Sequence, residues 1–250
     1  MNYYNDNDRK ACAWLRELIA AGEIAPGHVD ERSILEIKAE ELAGFDQCHF
    51  FAGIGGWALA LRWAGLGDAA GIWTGSCPCQ PLSCAGQRKG HADERHLWPA
   101  FHDLIAKRKP ATVFGEQVAS TDGREWFSAV RSDLEDLGYA CGGADLCAAG
   151  VGSPTMRQRL FWVADSPSEG GCWRKIMAAQ SREASGRSSP PVCPVAWPDG
   201  YGSGSTLTVA DVLQASHGIP GRMGLLRGYG NAIVPQVAEV FVRAWMDMKP

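Results

Sequence analysis

The sequence lacks any long run of apolar residues. A membrane-spanning helix needs about 20 consecutive apolar residues, and no stretch of the 250 residues approaches that length. The first residues also lack the basic and then apolar pattern of a secretory signal. These two absences predict a chain without a membrane segment, located in the cytoplasm.

The sequence also lacks an excess of positive charge. Lys and Arg total 24 against 28 Asp and Glu, which gives a net charge of −4. Proteins that bind nucleic acid through charge alone are usually strongly basic, so this class is disfavoured. A local basic cleft remains compatible with the total. The 46% of hydrophobic residues is ordinary for a globular chain.

The cysteines lack the pattern of a disulfide framework or a zinc site. Their number is nine, and their spacing is irregular. An odd, irregular set is typical of reduced thiols in the cytosol. Cys77 and Cys79 are separated by one residue, and no second closely spaced pair would complete a zinc finger. We therefore expect no metal site.

What the chain does have is an alternation of strand and helix patterns. Helices are predicted over 9–20, 56–65, 98–107, 123–137 and 233–247, and strands around 3–5 and over 46–53, 71–76, 111–116, 139–147 and 160–164. A turn is predicted at Gly27. This alternation favours a parallel or mixed sheet covered by helices. After Asp165 the composition shifts to Ser, Gly, Pro and Arg, which predicts loops over 166–206.

The segment around Cys79 has the pattern of a nucleophile. Pro78 fixes the backbone at the end of an apolar strand, and a loop rich in glycine and basic residues follows. Nearby cations favour a thiolate, and this loop carries Arg88, Lys89 and Arg95. The alternative for a single cysteine is a small core residue.

Other motifs surround this segment. Residues 51–56 form a glycine turn between a strand and a helix, the arrangement that brings backbone close to a nucleotide-like cofactor. Glu116 ends a second apolar strand, and Arg157 and Arg159 precede a third. Gly230 and Asn231 begin the last helical segment.

Taken in this order, the motifs resemble the DNA (cytosine-5) methyltransferase family. Pro78-Cys79-Gln80 is similar to its nucleophile motif, and Glu116-Gln117-Val118 to its Glu-Asn-Val motif, with Gln117 in place of asparagine. Thr155 stands where the Gln-x-Arg-x-Arg motif usually has glutamine. The resemblance implies a Rossmann-like α/β sheet that binds S-adenosylmethionine and is covered by helices, with a reduced recognition lobe. The short length suggests a phage or prophage setting.

The resemblance also implies roles for individual residues. Cys79 would attack C6 of cytosine, Glu116 would bind the N3/N4 edge, and Arg159 with Arg157 would support O2. The expected cofactor-binding residues are Phe51, Ala52, Gly53, Ile54, Gly55, Gly56, Asn231 and Ala232. The expected DNA-binding residues are Gln80, Ser83, Arg88, Lys89 and Arg95.

The interval between Phe51 and Cys79 is too short for the family pattern. Relatives place two further strands there, with the acidic residues that hold the ribose and adenine. Here Asp6, Asp8 and Asp30 resemble those acids but precede the glycine turn. We hypothesise that the order is permuted, so that strand 3–5 pairs beside strand 47–52, an acid of the pair Asp6 and Asp8 binds the ribose, and Asp30 lies near the adenine amine. The alternative is that residues 1–45 form a separate cap.

Three regions are therefore expected. Residues 1–165 would form the catalytic and cofactor-binding domain, 166–228 a reduced target-recognition region, and 229–250 a helix that returns to the catalytic domain. The leading function is methylation of C5 of a flipped cytosine in duplex DNA by a monomer. Two alternatives remain open: a tRNA cytosine methyltransferase and a non-catalytic nucleic-acid-binding module. The sequence does not identify a restriction partner.

Overall fold

The computed structural model describes residues 1–78, 97–153, 156–166 and 232–248. The strands are β1 (Asn2–Asn5), β2 (Gly27–Asp30), β3 (Gln47–Phe50), β4 (Ile72–Gly75), β5 (Thr112–Val118), β6 (Ala140–Cys147) and β7 (Gln158–Asp165). The helices are α1 (Arg9–Ala20), α2 (Gly56–Trp63), α3 (Trp98–Arg108), α4 (Thr121–Asp136) and α5 (Pro235–Asp247). None of the helices in this part of the chain combines the length and apolarity that a membrane crossing requires.

The strands form one mixed sheet in the order β2-β1-β3-β4-β5-β7-β6. The five strands from β2 to β5 run parallel. Strand β7 is antiparallel to both β5 and β6. The sequence prediction of a parallel or mixed sheet covered by helices is therefore confirmed.

The pairing of β1 with β3 confirms the strand order expected for a permuted chain. Tyr3 pairs with Cys48 and Asn5 with Phe50, in parallel register. If the strands are counted from β3, then β1 and β2 stand second and third, and the sheet has the usual doubly wound order 3-2-1-4-5. The alternative that residues 1–45 form a separate cap is wrong.

The predicted turn at Gly27 is also wrong, because Gly27 is the first residue of β2. A Cβ atom at this position would lie 2.3 Å from the carbonyl oxygen of Asn2 and 2.6 Å from the ring of Tyr4. Glycine is thus required by the close approach of the neighbouring strand, which is a common reason for glycine within a strand.

The helices cover the two faces of the sheet in separate groups. Tyr4 on β1 and Phe114 on β5 face α1, α2 and α5, whose apolar side chains complete two core clusters. Their sequence neighbours Tyr3 and Val113 face α3 and α4 in a third cluster. This alternation follows from the two-residue period of a strand, and it buries both faces of the parallel strands.

Candidate active site

After the adjacent strands β3 and β4, the chain continues to helices on opposite faces of the sheet. Strand β3 leads directly into α2, whereas the helix that follows β4 is α3 on the other face. Ligands of open α/β sheets bind in the crevice at such a switch point, beyond the carboxyl ends of the strands. Phe50 and Gly75 pair at these ends, so the glycine turn and residues 76–78 lie at the same edge.

The glycine turn has left-handed backbone at alternating positions. The φ angles are 51° at Phe51, 55° at Gly53 and 84° at Gly55. A Cβ atom at Gly53 would come no closer than 4.0 Å to any neighbour, the carbonyl oxygen of Phe51. Among the described residues, the space beside Gly53 is therefore open, as a turn requires if a ligand is to approach closely.

Phe51 holds a backbone conformation that costs a non-glycine residue about 1–2 kcal/mol. Its half-buried ring lies edge-on to Phe101 of α3, with ring centroids 6.2 Å apart. Phe101 also packs under Gly75, where a Cβ atom would lie 2.4 Å from its ring. One aromatic side chain thus supports both walls of the crevice. Such strain in a non-glycine residue is common at ligand sites.

Asp6, at the end of β1, contacts the glycine turn directly. Its Oδ2 accepts a hydrogen bond of 2.8 Å from the backbone N–H of Gly53, and its Oδ1 accepts one of 2.9 Å from Asp8. Burial raises the pKa of the Asp6 carboxyl. A carboxylate offers about four acceptor sites, so Asp6 keeps the capacity to accept further hydrogen bonds.

The two other acids of the permuted segment have structural contacts. Asp8 caps α1 by accepting a hydrogen bond of 2.8 Å from the backbone N–H of Lys10. The buried Asp30 accepts hydrogen bonds from Tyr3 Oη and Arg32 Nη2, each at 2.7 Å. Burial alone would raise the pKa of Asp30, but the bonds from Arg32 and Tyr3 outweigh it and lower the pKa to about 2.

Glu116 and Arg159 meet at the carboxyl end of β5. The antiparallel register places Val118 opposite Arg159, and Arg159 Nε lies 2.8 Å from Glu116 Oε1. At this distance the guanidinium and the carboxyl form an ion pair. Burial raises the pKa of Glu116, while the charges of Arg159 and Arg157 oppose that rise. The result is a carboxyl that takes up a proton more readily than an exposed one.

Arg157 contacts the segment that precedes α5. Its Nη2 donates a hydrogen bond of 2.7 Å to the carbonyl oxygen of Ala232. The next residue, Ile233, packs on Gly56 at the start of α2. The structure therefore brings Ala232 into contact with the residue that directly precedes β7, the strand that carries Arg159.

Gln117 and Trp57 hold the segment before Pro78, and sequence reasoning missed both roles. The buried Gln117 donates a hydrogen bond of 3.2 Å from Nε2 to the carbonyl oxygen of Cys77. Trp57 Nε1 donates one of 3.1 Å to Ser76 Oγ. The only sequence signal was the glutamine itself, which stands where the resembling motif has asparagine.

Part of the predicted site lies outside the described residues. This holds for Cys79, Gln80, Ser83, Arg88, Lys89, Arg95 and Asn231. It also holds for the predicted recognition region beyond Ser166. Their assignments rest on the sequence alone.

Comparison with curated proteins identifies type II methyltransferases as relatives. Methyltransferase M.AplI of Arthrospira platensis is 31% identical over an alignment of 166 residues, and the match covers 52% of this chain and 48% of that protein. M.HhaI of Haemophilus parahaemolyticus is 27% identical over 169 residues, 52% of each chain. The chain spans about half the length of these relatives.

Solved structures show a more distant likeness. A DNMT2 variant from Spodoptera frugiperda shares 13% identity at a TM-score of 0.46, over 67% of this chain and 42% of that chain. The EhMeth methyltransferase of Entamoeba histolytica shares 16% identity at a TM-score of 0.45, over 68% and 46% of the two chains.

A model of the family described as C-5 cytosine-specific DNA methylase matches residues 68–214, more than half of the chain. The sheet order and the helices on both faces agree with the Rossmann-like α/β fold that the sequence predicted. The chain belongs to the C-5 cytosine-specific DNA methylase family.

Proposed function

We propose that this chain transfers a methyl group from S-adenosylmethionine to C5 of cytosine in DNA. Proteins of its family use S-adenosylmethionine as the methyl donor. The observation that carries the proposal is the close pair formed by the buried Glu116 and the partly buried Arg159. Glu116 lies on β5, and the next residue of that strand, Gln117, donates a hydrogen bond to Cys77 at the switch-point edge.

The described residues fit a nucleoside cofactor. Gly53 has open space before its backbone, and the Asp6 carboxylate beside it can accept hydrogen bonds from hydroxyl groups. We propose that Asp6 holds the ribose, that the turn from Phe51 to Gly56 packs against the cofactor, and that Ala232 with Asn231 borders its pocket. In this arrangement Asp30 contributes by fixing the end of β2 near the adenine. When bound, the cofactor supplies an electrophilic methyl group.

The protein groups prepare the cytosine for that methyl group. C5 is a poor nucleophile, but addition of a thiolate to C6 makes C5 enamine-like. We assign this addition to Cys79. A thiol with an ordinary pKa of about 8.5 is only about 3% ionised at pH 7, and the basic loop residues would increase that fraction. Glu116 in its acid form donates a proton to N3, and Arg159 donates hydrogen bonds to O2.

A base stacked in a duplex cannot meet these groups, so the cytosine must be flipped out. Phosphate contacts position DNA but carry no sequence information. We assign such contacts to the loop residues Gln80, Ser83, Arg88, Lys89 and Arg95. The description of the matching family, C-5 cytosine-specific DNA methylase, favours DNA over tRNA as the substrate.

A transfer assay tests the function directly. The protein is incubated with methyl-labelled S-adenosylmethionine and, in separate reactions, with plasmid DNA and with unmodified tRNA. We expect label in the plasmid as 5-methylcytosine, located by sequencing of the modified bases. Label in the tRNA alone would make the chain a tRNA methyltransferase, and no label with bound cofactor would support the non-catalytic alternative.

Asp6→Asn should weaken cofactor binding more than Asp8→Asn does. Asparagine keeps the size of Asp6 but removes the charge and one acceptor, which should cost about 1.5–3 kcal/mol of binding free energy. Asp8 is exposed and caps α1, and asparagine caps a helix equally well. Calorimetric titration with S-adenosylmethionine measures both affinities. A larger loss in Asp8→Asn would reverse the assignment.

Gln117→Leu should slow the attack of Cys79 on cytosine. Leucine fills the same space but cannot donate to Cys77, so the segment before Pro78 loses a fixed hydrogen bond. A net hydrogen bond is worth about 1 kcal/mol, which corresponds to about a fivefold lower rate. The rate of covalent trapping on DNA that contains 5-fluorocytosine measures the effect at saturating cofactor.

Gln47→Leu is the matched control. Gln47 is also buried and also donates to backbone carbonyls, those of Leu66 and Ala69. It lies at the amino end of β3, away from the crevice. Its loss should lower the free energy of unfolding without slowing the trapping rate. Equal slowing in both variants would mean that Gln117 acts only through stability.

A further inference from the structure

The short segment of Ala232 and Ile233 contacts both halves of the site. On one side, the Ala232 carbonyl accepts the hydrogen bond from Arg157, two residues before Arg159. On the other side, Ile233 lies so close to Gly56 that a Cβ atom there would be 2.6 Å from Ile233 Cγ1. The segment therefore spans from the strand of the base-binding arginine to the end of the cofactor turn.

Helix α5 anchors this segment from its other end. Val237, Ala238 and Val242 are buried against α2 and the sheet. Arg243 Nη2 also donates a hydrogen bond of 2.5 Å to the carbonyl oxygen of Trp63, at the end of α2. Because α2 begins at Gly56 and ends at Trp63, the segment and α5 hold α2 at both of its ends, and the cofactor turn at its last residue. A change in the position of Ala232 would therefore be felt at Gly56.

Arg157 is placed to transmit such a change from the base side. It is half-buried, and its charge acts on Glu116 together with that of Arg159. Its Nη2 donates a hydrogen bond to the carbonyl oxygen of Ala232. A guanidinium is planar and offers its donors in fixed directions. The bond to Ala232 therefore restricts the orientation of the whole group.

We propose that Arg157 is a positioning residue that couples the cofactor turn to the pair of Glu116 and Arg159 through Ala232 and Ile233. This assignment replaces the direct O2 contact that the sequence resemblance implied for Arg157, and it rests on the proposed function. Coupling of this kind is reciprocal: bound cofactor favours the arrangement that binds the base, and bound DNA favours the one that binds cofactor.

The test measures cofactor affinity in the variants Arg157→Leu and Arg159→Leu. Calorimetric titration with S-adenosylhomocysteine avoids any dependence on turnover. Arg157→Leu should bind roughly 5- to 50-fold more weakly than the unchanged protein, within the usual range of coupling between sites. Arg159→Leu, which removes a cation from the same strand end, should bind within about twofold, a difference of roughly 0.4 kcal/mol. Arg157→Lys, which keeps the charge and can still reach the carbonyl, should recover part of the loss.

A second variant acts through the other end of the segment. Ile233→Ala removes the contact with Gly56 and should weaken cofactor binding as Arg157→Leu does. Both changes break the same connection between the cofactor turn and the base-binding pair. The cofactor affinity of the double variant should therefore be no more than about twofold below that of the single variant with the lower affinity, which is non-additive behaviour. Thermal unfolding of every variant establishes that it is folded.

The outcomes separate this inference from the proposed function. If the unchanged protein does not bind S-adenosylhomocysteine, the proposed function itself is wrong. If it binds, and folded Arg157→Leu binds equally well, the coupling is wrong and Arg157 belongs to the base contacts alone. Equal losses in Arg157→Leu and Arg159→Leu, or additive losses with Ile233→Ala, would overturn it too.

Discussion

The Cys79→Ser variant is expected to form no covalent complex with DNA that contains 5-fluorocytosine. In the proposed reaction of the unchanged protein, the Cys79 thiolate adds to C6, C5 accepts the methyl group, and release then requires loss of the C5 proton. Fluorine at C5 cannot leave as a proton, so the complex stays covalent. A serine hydroxyl is far less ionised than a thiol near neutral pH and should not add. Denaturing gel electrophoresis and peptide mass spectrometry detect the complex and its attachment site.

Cys77→Ala is the matched control, because Cys77 lies only two residues before Cys79 in the same segment. The Cys77 side chain is buried, and burial raises the pKa of its thiol above the ordinary value. It should remain a thiol and take no part in the addition. Cys77→Ala should therefore form the complex. A complex that forms with Cys79→Ser but not with Cys77→Ala would exchange the two roles.

Glu116→Gln should reduce methyl transfer by about 100- to 1000-fold, the usual result of removing one contact made to the transition state. Glutamine keeps the shape of the side chain but cannot transfer a proton to N3. In the proposed site this carboxyl contacts the base and not the cofactor, so cofactor affinity should stay within about twofold, roughly 0.4 kcal/mol. Single-turnover rates and calorimetric titration measure the two quantities. If cofactor binding collapses in a folded protein, the role of Glu116 is wrong.

The pH dependence provides a second readout for Glu116. Burial raises the pKa of its carboxyl, so the acid form persists to higher pH than in an exposed glutamate. In the proposed reaction the acid form is the proton donor, and the rate should therefore fall as pH rises through this raised pKa. The Cys79 thiolate has the opposite dependence, so the profile should be bell-shaped. Glu116→Gln should remove the fall that Glu116 causes, while Glu135→Gln on the exposed face of α4 should leave the profile unchanged.

The local elements could be predicted because each depends on its own residues. The apolar spacing of Ala11, Leu15 and Leu18 predicted a helix over 9–20, and α1 has these bounds. The strand before the glycine turn was also found, although β3 ends at Phe50. The turn then takes over at Phe51, whose positive φ interrupts the strand. The short strand β2 was missed because Gly27 was interpreted as a turn residue, whereas its lack of a side chain allows the close approach of β1.

The contacts that position the site could not be predicted in this way. The bond from the Gln117 side chain to the Cys77 carbonyl oxygen links β5 to the segment after β4, and these two strands become neighbours only in the folded sheet. The bond from Arg157 to Ala232 joins residues that are 75 positions apart in the sequence. No local pattern in a single sequence encodes which backbone carbonyl a buried amide or guanidinium will meet. The sequence could indicate only that Gln117 departs from the expected residue.

The order of the motifs was the most informative global signal. The short interval between Phe51 and Cys79 predicted that the strands of the cofactor acids precede the glycine turn, and β1 does pair with β3. The family match begins at residue 68, beyond the glycine turn. A permuted chain would give this result, because a linear match cannot also include motifs that appear in another order.

The permuted order has a consequence for how the protein is made. Strands β3 and β4, which form the two walls of the crevice, are joined directly by α2 within residues 47–75. In the usual order, two further strands would be synthesised between them. Contacts between residues close in sequence form faster than distant ones. We therefore expect the unit β3-α2-β4 to assemble early as the chain leaves the ribosome, so that the crevice takes shape before the antiparallel edge of the sheet exists.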